Sequence, residues 1–151
     1  VLEAMPEAAQ LDVRILASDI DPNVVETGRA GIYSNDALRS VPQALRDRWM
    51  VRVRDGAQEA WSAGSDMRRL VAFRELNLMG HWPMKGRFDV IFCRNVVIYF
   101  DEPTQARIWS RFAPLLNPGG RLYVGHSERV ADLTRLQNDG PTTYRLEDSV
   151  R

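Results

Sequence analysis

The order of apolar and polar positions divides the chain into alternating strand-like and helix-like segments. Residues 1–11 read as the end of a helix. Val13-Arg14-Ile15-Leu16-Ala17-Ser18 is apolar enough for a buried strand and ends at Asp19-Ile20-Asp21-Pro22. Asp21 before Pro22 suits an N-cap with proline in the first turn, so a helix should run to about Ala30 and stop at Gly31. A short helix is expected over Gln43 to Trp49, after Pro42. Met50-Val51-Arg52-Val53-Arg54 then alternates apolar and basic, the period of a half-exposed strand. Asp55-Gly56 is a turn signal, Glu59–Ser62 reads as a second strand, and Ala63-Gly64-Ser65-Asp66 as another turn. Met67 to Arg74 reads as a third strand, able to continue into a main sheet, so residues 50–74 form a small antiparallel meander.

The second half returns to strand and helix in turn. Phe88–Cys93 is a buried strand, and Asp101-Glu102-Pro103 opens a helix with Ile108, Phe112, Leu115 and Leu116 along one face. Pro114 should end or bend it. Pro118-Gly119-Gly120 forces a turn into a strand over Arg121–Gly125, and Thr142–Leu146 is a last strand. This alternation predicts an α/β fold built on a mostly parallel, doubly wound sheet.

Composition narrows the class. The chain has 151 residues, 44% hydrophobic and 26% charged, with 20 basic and 20 acidic side chains. That is a globular mixture with room for a sizeable core. No apolar run approaches the roughly 20 residues of a membrane span, and neither sign of charge dominates as in a nucleic-acid coat. No nucleic-acid partner and no membrane insertion are expected. A single cysteine excludes an internal disulfide, and two histidines are too few for a His-based metal centre without carboxylate help, so no metal is expected. With no signal-peptide pattern at the start, these features fit a reducing, cytoplasmic compartment. Charge is uneven along the chain. Lys85 is the single lysine, and residues 39–74 hold eight arginines against four acids, a basic segment suited to an acidic peptide or receptor surface, or equally a solvated strand face.

In open α/β sheets ligands sit beyond the carboxyl ends of strands, so the residues there are the candidates. Asp19 follows the first strand. An ionised Asp offers only acceptors and can take both hydroxyls of a ribose, or serve as a second helix-capping acid. Asn77 donates and accepts at once, which suits an adenine edge or ribose, and Leu78 can cover a base; taken alone, Asn77 reads first as a turn residue. Arg94 and Asn95 follow the Phe88–Cys93 strand, where an Arg can hold a carboxylate in bidentate fashion or form a surface pair. Tyr99 offers a ring face to a cation and a hydroxyl to a carboxylate, or packs in the core. Gly119-Gly120 lacks the spacing of a phosphate loop. His126-Ser127-Glu128 reads as a structural cluster at a strand end rather than a triad. Cys93 reads as a buried, inert thiol, and the four tryptophans as packing.

The segments ILASDIDPNVVETGRAGIYS, FRELNL, GRFDVIFCRNVVIYFDEPTQ and LLNPGGRLYVGHSE, in this order and spacing, resemble the CheR-type chemotaxis receptor methyltransferases, from about Ala4 to Leu146. The resemblance implies a class I methyltransferase (Rossmann-like) sheet, with 1–49 and 75–151 as parts of the methyltransferase domain and 50–74 as an inserted antiparallel β subdomain. It implies transfer of a methyl group from S-adenosyl-L-methionine to glutamate side chains of a chemoreceptor cytoplasmic domain, leaving S-adenosyl-L-homocysteine. It implies that Asp19 binds the adenosine ribose, that Asn77 and Leu78 lie beside the adenosyl group, that Arg94 and Asn95 belong to the cofactor site, and that Tyr99 lies near the transferred methyl. A receptor-tail peptide held by residues 50–74 is a further expectation. Members also carry a first strand with a small-residue loop and an N-terminal helical domain; Val1 would follow these, so the expectation is an N-terminally truncated chain. Without that loop, two other readings stand: a non-catalytic module that docks receptors or partners, and a methyltransferase of another signalling system.

Overall fold

The computed structural model describes residues 1–130 and 135–146; the stretches 131–134 and 147–151, which the expected domain segment 75–151 includes, lie outside the described residues. The chain divides into two compact units, Val1–Gly80 and His81–Arg151. Lys85 is exposed in the stretch before Phe88, which carries no helix or strand.

The first unit opens with a 3-10 turn over Pro6–Gln10, where the sequence suggests the end of an α-helix. Strand β1 (Ile15–Asp19) follows, then helix α1 (Pro22–Ala30). The limits of α1 are set by local chemistry. The Asp21 carboxylate accepts from the Asn23 N–H at 2.8 Å, Pro22 fills the first turn, and Gly31 adopts φ 59° while its N–H donates to the Thr27 carbonyl. Next come β2 (Ile32–Ser34), α2 (Gln43–Trp49), β3 (Met50–Asp55), β4 (Gln58–Ala63), α3 (Ser65–Leu70) and β5 (Val71–Glu75). β1 and β5 pair in parallel, Ile15 opposite Val71 through Asp19 opposite Glu75. β2, β4 and β3 form a separate antiparallel sheet in that order.

Two further elements of this unit differ from the sequence reading. The third strand of the small sheet is β2, not residues 67–74. Residues Ser65–Leu70 are helical, and only Val71 onward is extended, as a partner of β1. Met67 and Leu70 stand three apart, so a helix turns both onto one face. There Leu70 is buried with Leu2 and Ala8, and Met67 packs against the same cluster beside Val13 and Trp49. That burial outweighs the strand propensity of the segment. The hairpin turn at Asp55-Gly56 is as expected, with Gly56 at φ 60°. Trp61 is buried on the small sheet, donates to Asn35 Oδ1 at 2.8 Å, and lies under the guanidinium groups of Arg46 and Arg52.

The second unit holds β6 (Phe88–Cys93), a 3-10 turn (Val97–Tyr99), helix α4 (Glu102–Phe112), a second 3-10 turn (Ala113–Leu115), β7 (Leu116–Val124), β8 (Leu136–Asn138) and β9 (Thr143–Leu146). The sheet order is β6-β7-β9-β8, with β6 and β7 parallel and the rest antiparallel. Asp101 caps α4 by accepting from the Thr104 N–H at 2.9 Å. Pro114 ends the helix as expected, so Leu116 enters the core as the first residue of β7. Pro118-Gly119-Gly120 lies inside β7 as an irregularity: Phe88 stands opposite Leu116, but Val90 stands opposite Arg121. Ile108, Trp109, Leu116, Leu122 and Val124 are fully buried, and Trp82 packs on Phe112 with ring centres 4.9 Å apart.

Candidate functional site

In the first unit, the parallel pairing of β1 and β5 brings two expected residues to one sheet end. Asp19 is the last residue of β1, and its carbonyl accepts from the Leu76 N–H at 2.8 Å. Asn77 and Leu78 follow directly. Asp19 is exposed, and its Oδ1 accepts from the Asp21 N–H at 2.9 Å. Asp21, not Asp19, caps the helix. A carboxylate has about four acceptor sites, so bracing this turn leaves Asp19 able to accept from a ligand. Asn77 Oδ1 accepts from the Met79 N–H at 2.8 Å, the turn role that its residue type suggests, and this fixes the amide while its NH2 remains a donor group. Leu78 is half-buried beside it.

In the second unit, Arg94 and Asn95 follow β6, and Tyr99 closes the next 3-10 turn. All three are exposed, Tyr99 by 80%, so Tyr99 is not the core residue that one sequence reading allowed. Asn95 adopts φ 57°, a left-handed conformation that asparagine takes up more readily than most residues other than glycine. The segment is held from beneath by Glu128, whose relative exposure is 1%. Glu128 Oε2 accepts from the N–H groups of Asn95 (3.0 Å) and Gly125 (2.6 Å), and Oε1 from those of Val96 (2.9 Å) and Val97 (2.7 Å). Burial pushes the Glu128 carboxyl up, and these four amides together hold it below its ordinary value. Within the His126-Ser127-Glu128 segment, Glu128 thus braces the backbone, while His126 and Ser127 are exposed. The extent of the Glu128 role is not visible there, because three of its donors lie 31–33 residues earlier.

Cys93, at the end of β6, is buried, and its thiol is pushed up to about 12 by burial and then by the charge of Glu128. It is an inert thiol at neutral pH. On the small sheet, an open cavity of about 340 Å³ is lined by Asn35, Arg46, Arg52, Arg54, Glu59 and Trp61 among others.

Parallel strands ending in an exposed acid and an amide, on an α/β scaffold, define the class: an α/β domain whose polar strand ends lie where such sheets place their ligands. Comparison with known proteins gives the particular family. Residues 1–145 match the model described as CheR methyltransferase, SAM binding domain, and the chain belongs to that family. It is 52% identical over 147 residues to a probable chemotaxis protein methyltransferase of Rhizobium etli, covering 96% of this chain and 55% of that protein. It is 43% identical over 135 residues to a chemotaxis protein methyltransferase of Klebsiella aerogenes (88% and 47% covered) and 39% identical over 135 residues to that of Escherichia coli (88% and 47%). The chain spans about half the length of the curated relatives it matches.

The donor set at the β1 and β5 ends fits the nucleoside of S-adenosylmethionine. Asp19 would supply acceptors for ribose hydroxyls, Asn77 a donor-acceptor pair for a base edge or ribose, and Leu78 an apolar surface.

Proposed function

We propose that the protein methylates glutamate side chains of a chemoreceptor cytoplasmic domain, with S-adenosylmethionine as donor, in the adaptation step of bacterial chemotaxis. The observation that carries this reading is the family match over residues 1–145. The geometry supports it through Asp19 and Asn77 at one end of the β1–β5 pair. In this reading Asp19, Asn77 and Leu78 hold the adenosyl part, Arg94 and Asn95 serve the cofactor site, and Tyr99 lies near the transferred methyl. The cofactor supplies a methyl group activated by a sulfonium. A glutamate carboxylate is ionised at neutral pH and is already a nucleophile, so no strong general base is needed. The residues then have to align and exclude water. Tyr99 is suited to steer a cation by its ring face or the incoming carboxylate by its hydroxyl.

No helix among the described residues is long and apolar enough to cross a membrane, which supports a cytoplasmic location at the receptor's inner domain. For the receptor tail, the cavity on the small sheet offers Arg46, Arg52 and Arg54 beside Trp61, a basic and aromatic surface that suits an acidic peptide.

Calorimetry with S-adenosylhomocysteine, on this chain and on the natural full-length polypeptide, tests the cofactor reading. Binding by the full-length protein is expected, and Asp19→Ala should weaken it at least tenfold. Transfer of labelled methyl groups to a chemoreceptor cytoplasmic fragment tests the substrate, with glutamate-to-glutamine receptor variants losing the label. Tyr99→Ala should lower turnover more than Tyr99→Phe; equal turnover of both with the unsubstituted protein would remove Tyr99 from the site. No binding and no transfer by the full-length protein would overturn the reading.

A further inference from the structure

We propose that Glu128 is a positioning residue for methyl transfer: its buried carboxylate fixes the Arg94–Tyr99 segment in the conformation that presents those side chains at the end of β6. The proposal rests on the methyltransferase reading above and adds to it a residue that touches neither substrate nor cofactor.

The geometry is that of a clamp. Three consecutive amides, Asn95 to Val97, donate into one carboxylate, and Gly125, at the end of β7, donates into it from the other side. The Glu128 N–H returns to the Gly125 carbonyl at 3.1 Å, closing a tight turn behind the clamp. There is no slack in it. A Cβ on Gly125 would collide with Asn95 Oδ1 and stand 2.8 Å from Glu128 Oε2 and 2.9 Å from the Asn95 nitrogen.

A fully buried carboxylate is costly, and apolar packing would stabilise a strand end more cheaply. Here it takes the three amides that open a segment otherwise held by one 3-10 turn and the buried Val97. Asn95 stands at φ 57°, and Val96, Ile98 and Tyr99 are exposed by 41%, 39% and 80%. Asparagine adopts this left-handed conformation more readily than most residues, and the amide contacts to Glu128 fix it here. The inner face of this segment is amide and carboxylate, with the Asn95 Oδ1 beside Gly125; Arg94 and Tyr99 are exposed. Sub-ångström placement of such groups controls rate in a reaction that depends on alignment.

The test compares Glu128→Gln with Leu116→Ala in the full-length protein, each assayed below its own melting transition. Leu116 is buried at the opposite end of β7 and serves as a destabilised control. Gln keeps the shape but turns an NH2 toward two of the four donors. The expected result is a fall in kcat of at least tenfold for Glu128→Gln at saturating cofactor and receptor, with the control within threefold of the unsubstituted protein. Amide hydrogen exchange should accelerate at Asn95–Val97 at least tenfold, with Ile91 on β6 unchanged. If Glu128→Gln does not fold, Glu128→Asp, which keeps the charge but withdraws it from the amides, is read by the same criteria. Turnover within threefold of the unsubstituted protein overturns the proposal. So does an equal loss in the control, or exchange that accelerates equally along β6; either would make Glu128 a general structural strut. Absence of transfer by the unsubstituted protein overturns the methyltransferase reading and this proposal with it.

Discussion

Cys93 and Glu128 lie together in the second unit and respond to pH in opposite ways. The Cys93 thiol, raised from 9.0 to about 12, stays protonated in the folded chain. Its contribution to stability is intact below pH 9 and is lost as pH rises toward 12. At pH 8 a thiol-reactive aromatic disulfide should therefore label Cys93 only as fast as the protein unfolds, and denaturant should make labelling immediate. Fast labelling of the native protein would contradict the burial of β6 at this residue. Glu128 is held below its ordinary value of 4.5, so its contribution is intact above that pH and is lost as pH falls below it. Glu128→Gln leaves two amides facing a donor, at about 1–3 kcal/mol each. Melts should show lower stability at pH 7 and a flatter dependence on pH below 5. The inertness of Cys93 was legible in the sequence, because an apolar strand surrounds it. The reach of Glu128 was not, because neighbouring residues say nothing about amides more than thirty positions away.

Helix α1 shows what local chemistry does fix. Cap, proline and terminal glycine were all readable, and both limits agree with the structure. Asp21→Ala should cost about 1 kcal/mol, or about 2–4 °C in melting temperature for a chain of this size, measured by calorimetric melts. Gly28, within the same helix, has a different constraint. A Cβ there would run into the Phe73 ring on β5, so Gly28→Ala should destabilise despite its better helix propensity. Nothing around Gly28 in the sequence announces this, since the obstacle belongs to another element. The same limit explains β2 and α3. Three residues, Ile32–Ser34, are too few to show a period, and their partner β4 lies nearly thirty positions on. In Ser65–Leu70 the spacing of Met67 and Leu70 fits a helix, but the run into Val71–Glu75 hides the change of element. Alternation in Met50–Arg54 was plain because it lasts long enough and ends in a turn signal.

At the scale of the whole molecule, the described residues form three sheets, some of whose strands show apolar side chains to solvent. Among the described residues β6 pairs only with β7 and shows Val90 and Phe92, exposed by 44% and 72%; β1 pairs only with β5 and shows Ile15 and Leu16, exposed by 36% and 37%. Open apolar strands invite pairing with other chains. The 151-residue chain on its own should therefore associate at micromolar concentrations in light-scattering measurements, and Phe92→Lys should reduce the association. A strictly monomeric chain would show that these strands are protected. The α/β class was legible from the alternation of elements, and the family from its motifs. Which apolar faces stay uncovered depends on pairing, which periodicity does not report.

The exposed Lys85 has a practical consequence. It carries the only side-chain primary amine, and it falls in the irregular stretch that opens the second unit, before Phe88. A lysine-specific protease thus has one bond to cut and would deliver residues 1–85 and 86–151, the first piece taking with it Trp82, which packs on Phe112 in the second unit. The nineteen arginines, invisible to that enzyme, would leave each half whole. Whatever one half binds could then be assigned by mass to the strand ends of Asp19 and Asn77, or to those of Arg94 and Tyr99.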